Sequence, residues 1–159
     1  MEIHKLIEFK NWADEVYIQY ASNLSEEDFT KKILGKSIKD TMLHMYEVYY
    51  FWYIRMTTKD FSTLPDFDKL NSEEIFSGMK KINQKMLDYA HVRDISVPIH
   101  IKWDENDNEV ITNPENIFFN AVNHSAYHRG QIAIKLRELG IPEIKETDYN
   151  PYIYELGQK

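Results

Sequence analysis

Thr58-Lys59-Asp60-Phe61-Ser62-Thr63-Leu64-Pro65-Asp66-Phe67-Asp68-Lys69-Leu70-Asn71 is the stretch on which the fold turns. With Pro65 and its aspartates it reads as a connection rather than an element. Fully extended, a segment of this length reaches on the order of 46 Å, against ~30 Å for a helix of ~20 residues. It can therefore cross a whole helical bundle. The helix that follows it is free to run parallel to the helix that precedes it.

Working outward, the segment before the connection, about Ser37 to Met56, is apolar almost all the way round, from Met42 and Leu43 to Trp52, Tyr53 and Ile54. Such a helix is either central in a bundle or shared with a second subunit. His44, Glu47 and Arg55 interrupt it, so it is not a membrane span. The segment after the connection opens with Asn71-Ser72-Glu73-Glu74, a helix start, and continues to about Ala90.

Ile95, Val97, Ile99, Ile101 and Trp103 then alternate with polar residues or Pro98, the period of a strand. Asp104–Asn108 forms a turn and Glu109–Thr112 returns as a second strand. Asn113-Pro114 starts the last long helix, and Gly140 with Pro142 ends it near Leu139. A first helix over about residues 2–22 and a short turn after the Ser25 cap precede all of this. The aromatic tail, Thr147 to Tyr152, is expected to pack back onto the body. Residues 1–159 are expected to form a single all-α domain, a four-helix bundle with a small β-hairpin between helices three and four.

Composition removes several functional classes. A net charge of −7 argues against general binding to nucleic acid or anionic membranes. The absence of cysteine excludes a disulfide framework, a thiolate metal site and a cysteine nucleophile. The N-terminal residues carry no secretory pattern, so the expected location is cytoplasmic.

Chemistry concentrates in histidines. His124 and His128, four residues apart in Asn123-His124-Ser125-Ala126-Tyr127-His128-Arg129-Gly130-Gln131, project from one helix face with Ile117, Ala121 and Gln131. His44 shares its face with Thr41, Val48 and Phe51. If both faces point inward, three imidazoles meet in the bundle core and can hold a divalent transition cation with positions left open. Nitrogen donors suit zinc, nickel, iron(II) or copper rather than magnesium or calcium.

Each residue also has an ordinary reading. A lone histidine on an apolar face is more often a hydrogen-bonded core residue than a ligand. His4, His91 and His100 read as surface residues. Arg129 reads as a salt-bridge or tail contact, Gly130 as an allowance for a neighbouring backbone, and Gln131 as a partner of the site or merely pocket lining.

The run from Ser37 to His44, the His124-to-Gln131 element, Leu136-Arg137-Glu138-Leu139-Gly140-Ile141-Pro142 and the Thr147-Asp148-Tyr149 tail together resemble the bacterial DinB-like family. The resemblance covers nearly the whole chain. It implies up-down-down-up helix order, commonly a homodimer, and a three-histidine metal site that maps onto His44, His124 and His128. It also implies a metal-dependent transferase that uses a low-molecular-weight thiol on a small electrophile. Zinc or nickel would be the foremost cofactor, with iron or manganese as alternatives. A metal-dependent hydrolase is the second reading. It needs a carboxylate base, for which Asp40 and Glu47 are the nearest candidates. A metal-binding protein without turnover is the third. None of these assigns a catalytic side chain beyond the metal ligands.

Overall fold

The computed structural model describes residues 2–102 and 109–158. The chain runs α1 (Ile3–Ser22), α2 (Glu26–Thr30), α3 (Ile38–Met56), α4 (Ser72–Val92), β1 (Ile99–Lys102), β2 (Glu109–Thr112), α5 (Pro114–Glu138) and α6 (Tyr149–Leu156). Side chains fix where the two middle helices begin. Ser37 Oγ accepts from Asp40 N and Asp40 accepts from Ser37 N, both at 2.9 Å, closing a capping box on α3. Asn71 and Glu74 do the same for α4. These reciprocal bonds satisfy backbone donors that a helix start otherwise leaves unpaired.

Contacts between helices give their directions. Glu15 meets Lys80 at 2.8 Å while Glu8 meets His91 at 3.6 Å, so α1 and α4 are antiparallel. Tyr46 lies against Gly78 and the Tyr89 hydroxyl donates to the Met56 carbonyl at 3.5 Å, so α3 and α4 are parallel. His44 packs on His128 and Tyr49 on His124, so α5 runs antiparallel to α3. The order is up-down-down-up, as the length of the crossover allows.

That crossover, residues 57–71, contains two single 3₁₀ turns, Phe61–Thr63 and Phe67–Lys69. Phe67 packs edge-on against Tyr46 and Tyr50 at ring distances of 5.2 and 6.3 Å. Phe61 lies 6.0 Å from Phe51, and Arg55 caps both rings. Much of the aromatic surface of α3 is thus covered by the chain's own connection. The parallel α3–α4 pair also explains Gly78: a Cβ there would collide with the Tyr46 ring. Gly130, by contrast, has no neighbour among the described residues within 4 Å of where its Cβ would lie, so the expected close backbone approach is not found there.

In the hairpin, Ile99 pairs with Thr112 and Lys102 with Glu109. Ile101 is buried on the bundle, as its place in the alternation requires. Val97 departs from the expected pattern. It precedes the ladder and is 52% exposed, because pairing begins only after Pro98. Trp103 and the turn at 104–108 lie outside the described residues. At the other end, Gly140 adopts φ +88°, the left-handed conformation that ends α5. The tail does pack back: Tyr152 of α6 is buried against Phe9 and Trp12, and Trp12 Nε1 donates to Glu155 at 3.0 Å. Among the described residues, no helix is long and apolar enough to cross a membrane.

Candidate metal centre

Antiparallel pairing of α3 and α5 brings the three sequence-predicted ligands together. The rings of His44 and His124 are 5.1 Å apart, His44 and His128 4.9 Å, and His124 and His128 4.4 Å. One nitrogen from each lies within 4.8 Å of the others, and they form the single such group among the described residues. The remaining histidines stay apart, as expected. His91 faces Glu8 and lies beside His4, and His100 lies 3.8 Å from Glu109 on the outer side of the hairpin.

The protonation states suit a cation. Burial pushes His124 down to about 4, with the neighbouring His128 and His44 adding to the effect. Burial also lowers His44 and His128, and Lys36 depresses both further. Neutral imidazole, the form a metal requires, is therefore the resting form at neutral pH.

Gln131 supplies the orientation that the sequence left open. Its Oε1 lies 2.9 Å from His128 Nδ1. Assigned on that contact, Nδ1–H donates to Gln131, which leaves Nε2 as the ligand atom. His124 Nε2 is fully buried and has no hydrogen-bond partner. Such an orphan costs about 1–3 kcal/mol unless something pairs with it. A divalent transition cation between the three rings would be that partner, so the residues present fit one.

The same depressions give a pH prediction. In the unfolded chain these histidines take up protons as the pH falls through 6.5, whereas folded His124 resists until about 4. The unfolded state binds more protons between those values, so metal-free protein keeps this stability above pH 6.5 and loses it on acidification. The loss is on the order of 1 kcal/mol once solvent screening is allowed for. Thermal unfolding of chelator-treated protein from pH 7.5 down to 4.5 measures it. A melting temperature flat across that interval contradicts the lowered values.

A family model for the DinB family matches residues 1–155. The chain belongs to the DinB family. Two solved structures share the fold of this DinB-family chain. A DinB-like protein from Bacillus cereus ATCC 10987 has a TM-score of 0.64 at 14% identity, over 88% of this chain and 95% of that one. A putative DinB-family member from Exiguobacterium sibiricum 255-15 gives 0.65 at 16% identity, over 93% and 99%. No match emerges among curated proteins.

Directly behind the triad, the DinB-family bundle holds a cluster of buried charge that sequence reasoning missed. Asp14 of α1 accepts from Lys10 Nζ at 2.9 Å, Asn83 Nδ2 at 3.2 Å and Arg129 at 3.3 Å, and also from Ser125. Lys10 donates to Asn83 Oδ1 at 2.7 Å and sits 3.9 Å from the centre of the Tyr49 ring. All five polar residues are buried. Arg129 is the salt-bridge residue its sequence position suggested, with α1 rather than the tail as its partner. One signal was available: Ser125 and Arg129 repeat the four-residue spacing of the ligands, one position on, so they face α1 while the histidines face α3.

Proposed function

We propose that this DinB-family protein is a metal-dependent transferase that activates a low-molecular-weight thiol for attack on a small electrophile. The donor set carries the reading: three neutral imidazoles, with no carboxylate grouped with them among the described residues. Asp40 is bound to the Ser37 backbone in the α3 cap. Burial and the neighbouring Asp68 of the crossover raise Glu47, so it is less readily ionised than an ordinary carboxylate. Asp14, whose charge reaches His124, is held by Lys10, Ser125 and Arg129. A hydrolase that needs a free carboxylate base beside its water is therefore the weaker reading.

His44, His124 and His128 would hold the cation, with zinc or nickel foremost and iron or manganese as alternatives. When bound, it would lower the pKa of a coordinated thiol from its ordinary ~8.5, so that the thiolate forms at neutral pH. The chain's own part is to keep three imidazoles neutral and, through Gln131, to aim His128. With no cysteine in the sequence, the thiol belongs to the substrate. Its proton passes to solvent, a sulfur–carbon bond forms, and the leaving group departs with its electron pair.

Metal-loaded protein incubated with a panel of small thiols and monochlorobimane tests this. The expected result is conjugate formation well above that of the triple variant His44→Ala, His124→Ala, His128→Ala. Equal rates with every thiol reject the transferase. Metal-dependent cleavage of esters or amides would favour the hydrolase instead, and no turnover of any kind the metal-binding protein.

We place the protein in the cytoplasm, with a small-molecule thiol and an electrophile as partners and neither nucleic acid nor membrane. We also propose a homodimer. Its support is on α5, where Phe119, Tyr127 and Ile134 are 59%, 65% and 48% exposed along one face around Gly130. Sedimentation should show a dimer that Phe119→Asp dissociates, and a concentration-independent monomer for the unsubstituted chain rejects the assembly.

A further inference from the structure

Arg129 is 4% exposed, yet its guanidinium is used on one side only. Nη1 donates to Asp14 at 3.3 Å and to Ser125. Nε is fully buried and has no hydrogen-bond partner, and Nη2 donates to nothing among the described residues. A buried donor without a partner is costly. The charge is unbalanced in the same direction: Lys10 and Arg129 both face Asp14, so two buried cations share one anion. The unused Nε–Nη2 edge is the pair of parallel N–H bonds that a guanidinium offers to a carboxylate or a phosphate.

Arg129 also lines a cleft of about 290 Å³ between α5 and the segment leading into α6, together with Tyr17, Gly130, Arg137 and Lys145. Nη2 is not sealed off as Nε is, so the unused edge is approached from this opening. Gly130 keeps the cleft clear. Nothing among the described residues lies within 4 Å of where its Cβ would sit, so a side chain there would project into the space. Arg137 adds a second cation that has no ion pair among the described residues. Lys145 is engaged by Glu155 at 2.5 Å. Glu146 and Asp148 line the cleft as well, but both are exposed and neither pairs with Arg129 or Arg137. Hydrated and screened, they do not offset the buried excess charge, although they oppose a polyanion.

We infer that this cleft is an oxyanion site, separate from the three histidines, in which Arg129 takes one carboxylate or phosphate group on its unused edge and Arg137 closes over it. The bound anion supplies the negative charge that the buried cluster lacks, and Gly130 leaves the room for it. The site lies beyond the thiol reading and does not depend on it: Arg129 faces α1, whereas His124 and His128 face α3.

Calorimetry of the metal-loaded protein at constant ionic strength, once with sodium acetate and once with sodium phosphate, tests this and tells the two groups apart. Saturable one-to-one binding of at least one anion is expected, and the tighter of the two names the group. Gly130→Leu should abolish it without lowering the unfolding temperature, because the new side chain enters open space and leucine is the better helix former. Arg129→Lys keeps a cation opposite Asp14 but has no second edge, and should weaken binding about tenfold. The triple variant His44→Ala, His124→Ala, His128→Ala should bind the anion as the unsubstituted chain does. No saturable binding of either anion, binding that Gly130→Leu or Arg129→Lys leaves unchanged, or binding lost with the three histidines overturns the site.

Discussion

Protein carrying His128→Ala or His44→Ala is expected to come off a desalting column without its transition metal, whereas the unsubstituted chain retains it. Each substitution leaves two imidazoles from a set whose nitrogens lie within 4.8 Å of one another. Two neutral imidazoles alone do not hold zinc or nickel against a chelator, and structural or catalytic zinc sites use at least three protein ligands. Gln131→Ala supplies the graded control. It removes only the 2.9 Å contact that fixes the His128 ring, and loss of such a partner costs ~10–100-fold in affinity. Metal analysis after dialysis, with a chelator competition for affinity, should rank the unsubstituted chain above Gln131→Ala and both above the histidine variants. Full stoichiometric metal in both histidine variants would remove the triad.

The bound ion should also raise the unfolding temperature of the unsubstituted chain and not that of His128→Ala, because a ligand that binds only the folded state stabilises it by mass action. The alanine variant is itself expected to fold. His128 contributes one hydrogen bond, to Gln131, whose amide can turn to solvent when the imidazole is gone.

What the sequence made legible was local. The cap at Asn71 involves residues three apart, and the two ligands on α5 are four apart, whereas the box at Ser37 emerged only with the structure. The crossover could be read because proline and its length constrain what joins its ends. His44 needed only the assumption that two apolar faces meet.

The buried charge at Lys10 and Asp14 was not legible in this way. On α1 the pair looks like an ordinary exposed i,i+4 ion pair, the default for such residues. Their burial is decided by partners 73, 111 and 115 residues away, Asn83, Ser125 and Arg129, which no local pattern reveals. Gly130 failed for the opposite reason. A glycine signals a close approach without saying whether the neighbour is in the same chain, and here nothing among the described residues fills the space.

The buried cluster should respond to substitution with a marked asymmetry. Lys10 and Arg129 are two cations facing the single anion Asp14, so the cluster carries one excess positive charge inside the bundle. Burial tends to raise the Asp14 carboxyl, but Lys10, Arg129 and Ser125 outweigh it and hold the group below the usual range. Lys10 is lowered by burial even against the attraction of Asp14, which marks it as the strained member. Asp14→Asn would therefore leave two buried cations with no counter-charge, at a cost of about 3–5 kcal/mol. Lys10→Met keeps the apolar stem over Tyr49 and leaves Asp14 balanced by Arg129, with Ser125 and Asn83 still donating to it. It forfeits the charged hydrogen bonds to Asp14 and Asn83 and strands Asn83 Oδ1, but removes the cost of burying the ammonium, so about 1–2 kcal/mol is expected. The double variant should cost less than the two single costs added, because removing Lys10 relieves half of what Asp14→Asn leaves uncompensated. Urea unfolding of the four proteins in the presence of chelator measures this without interference from the metal. Were Lys10→Met to prove as damaging as Asp14→Asn, charge balance would not be what holds the cluster together, and the hydrogen bonds to Asn83 that tie α1 to α4 would have to be its main contribution.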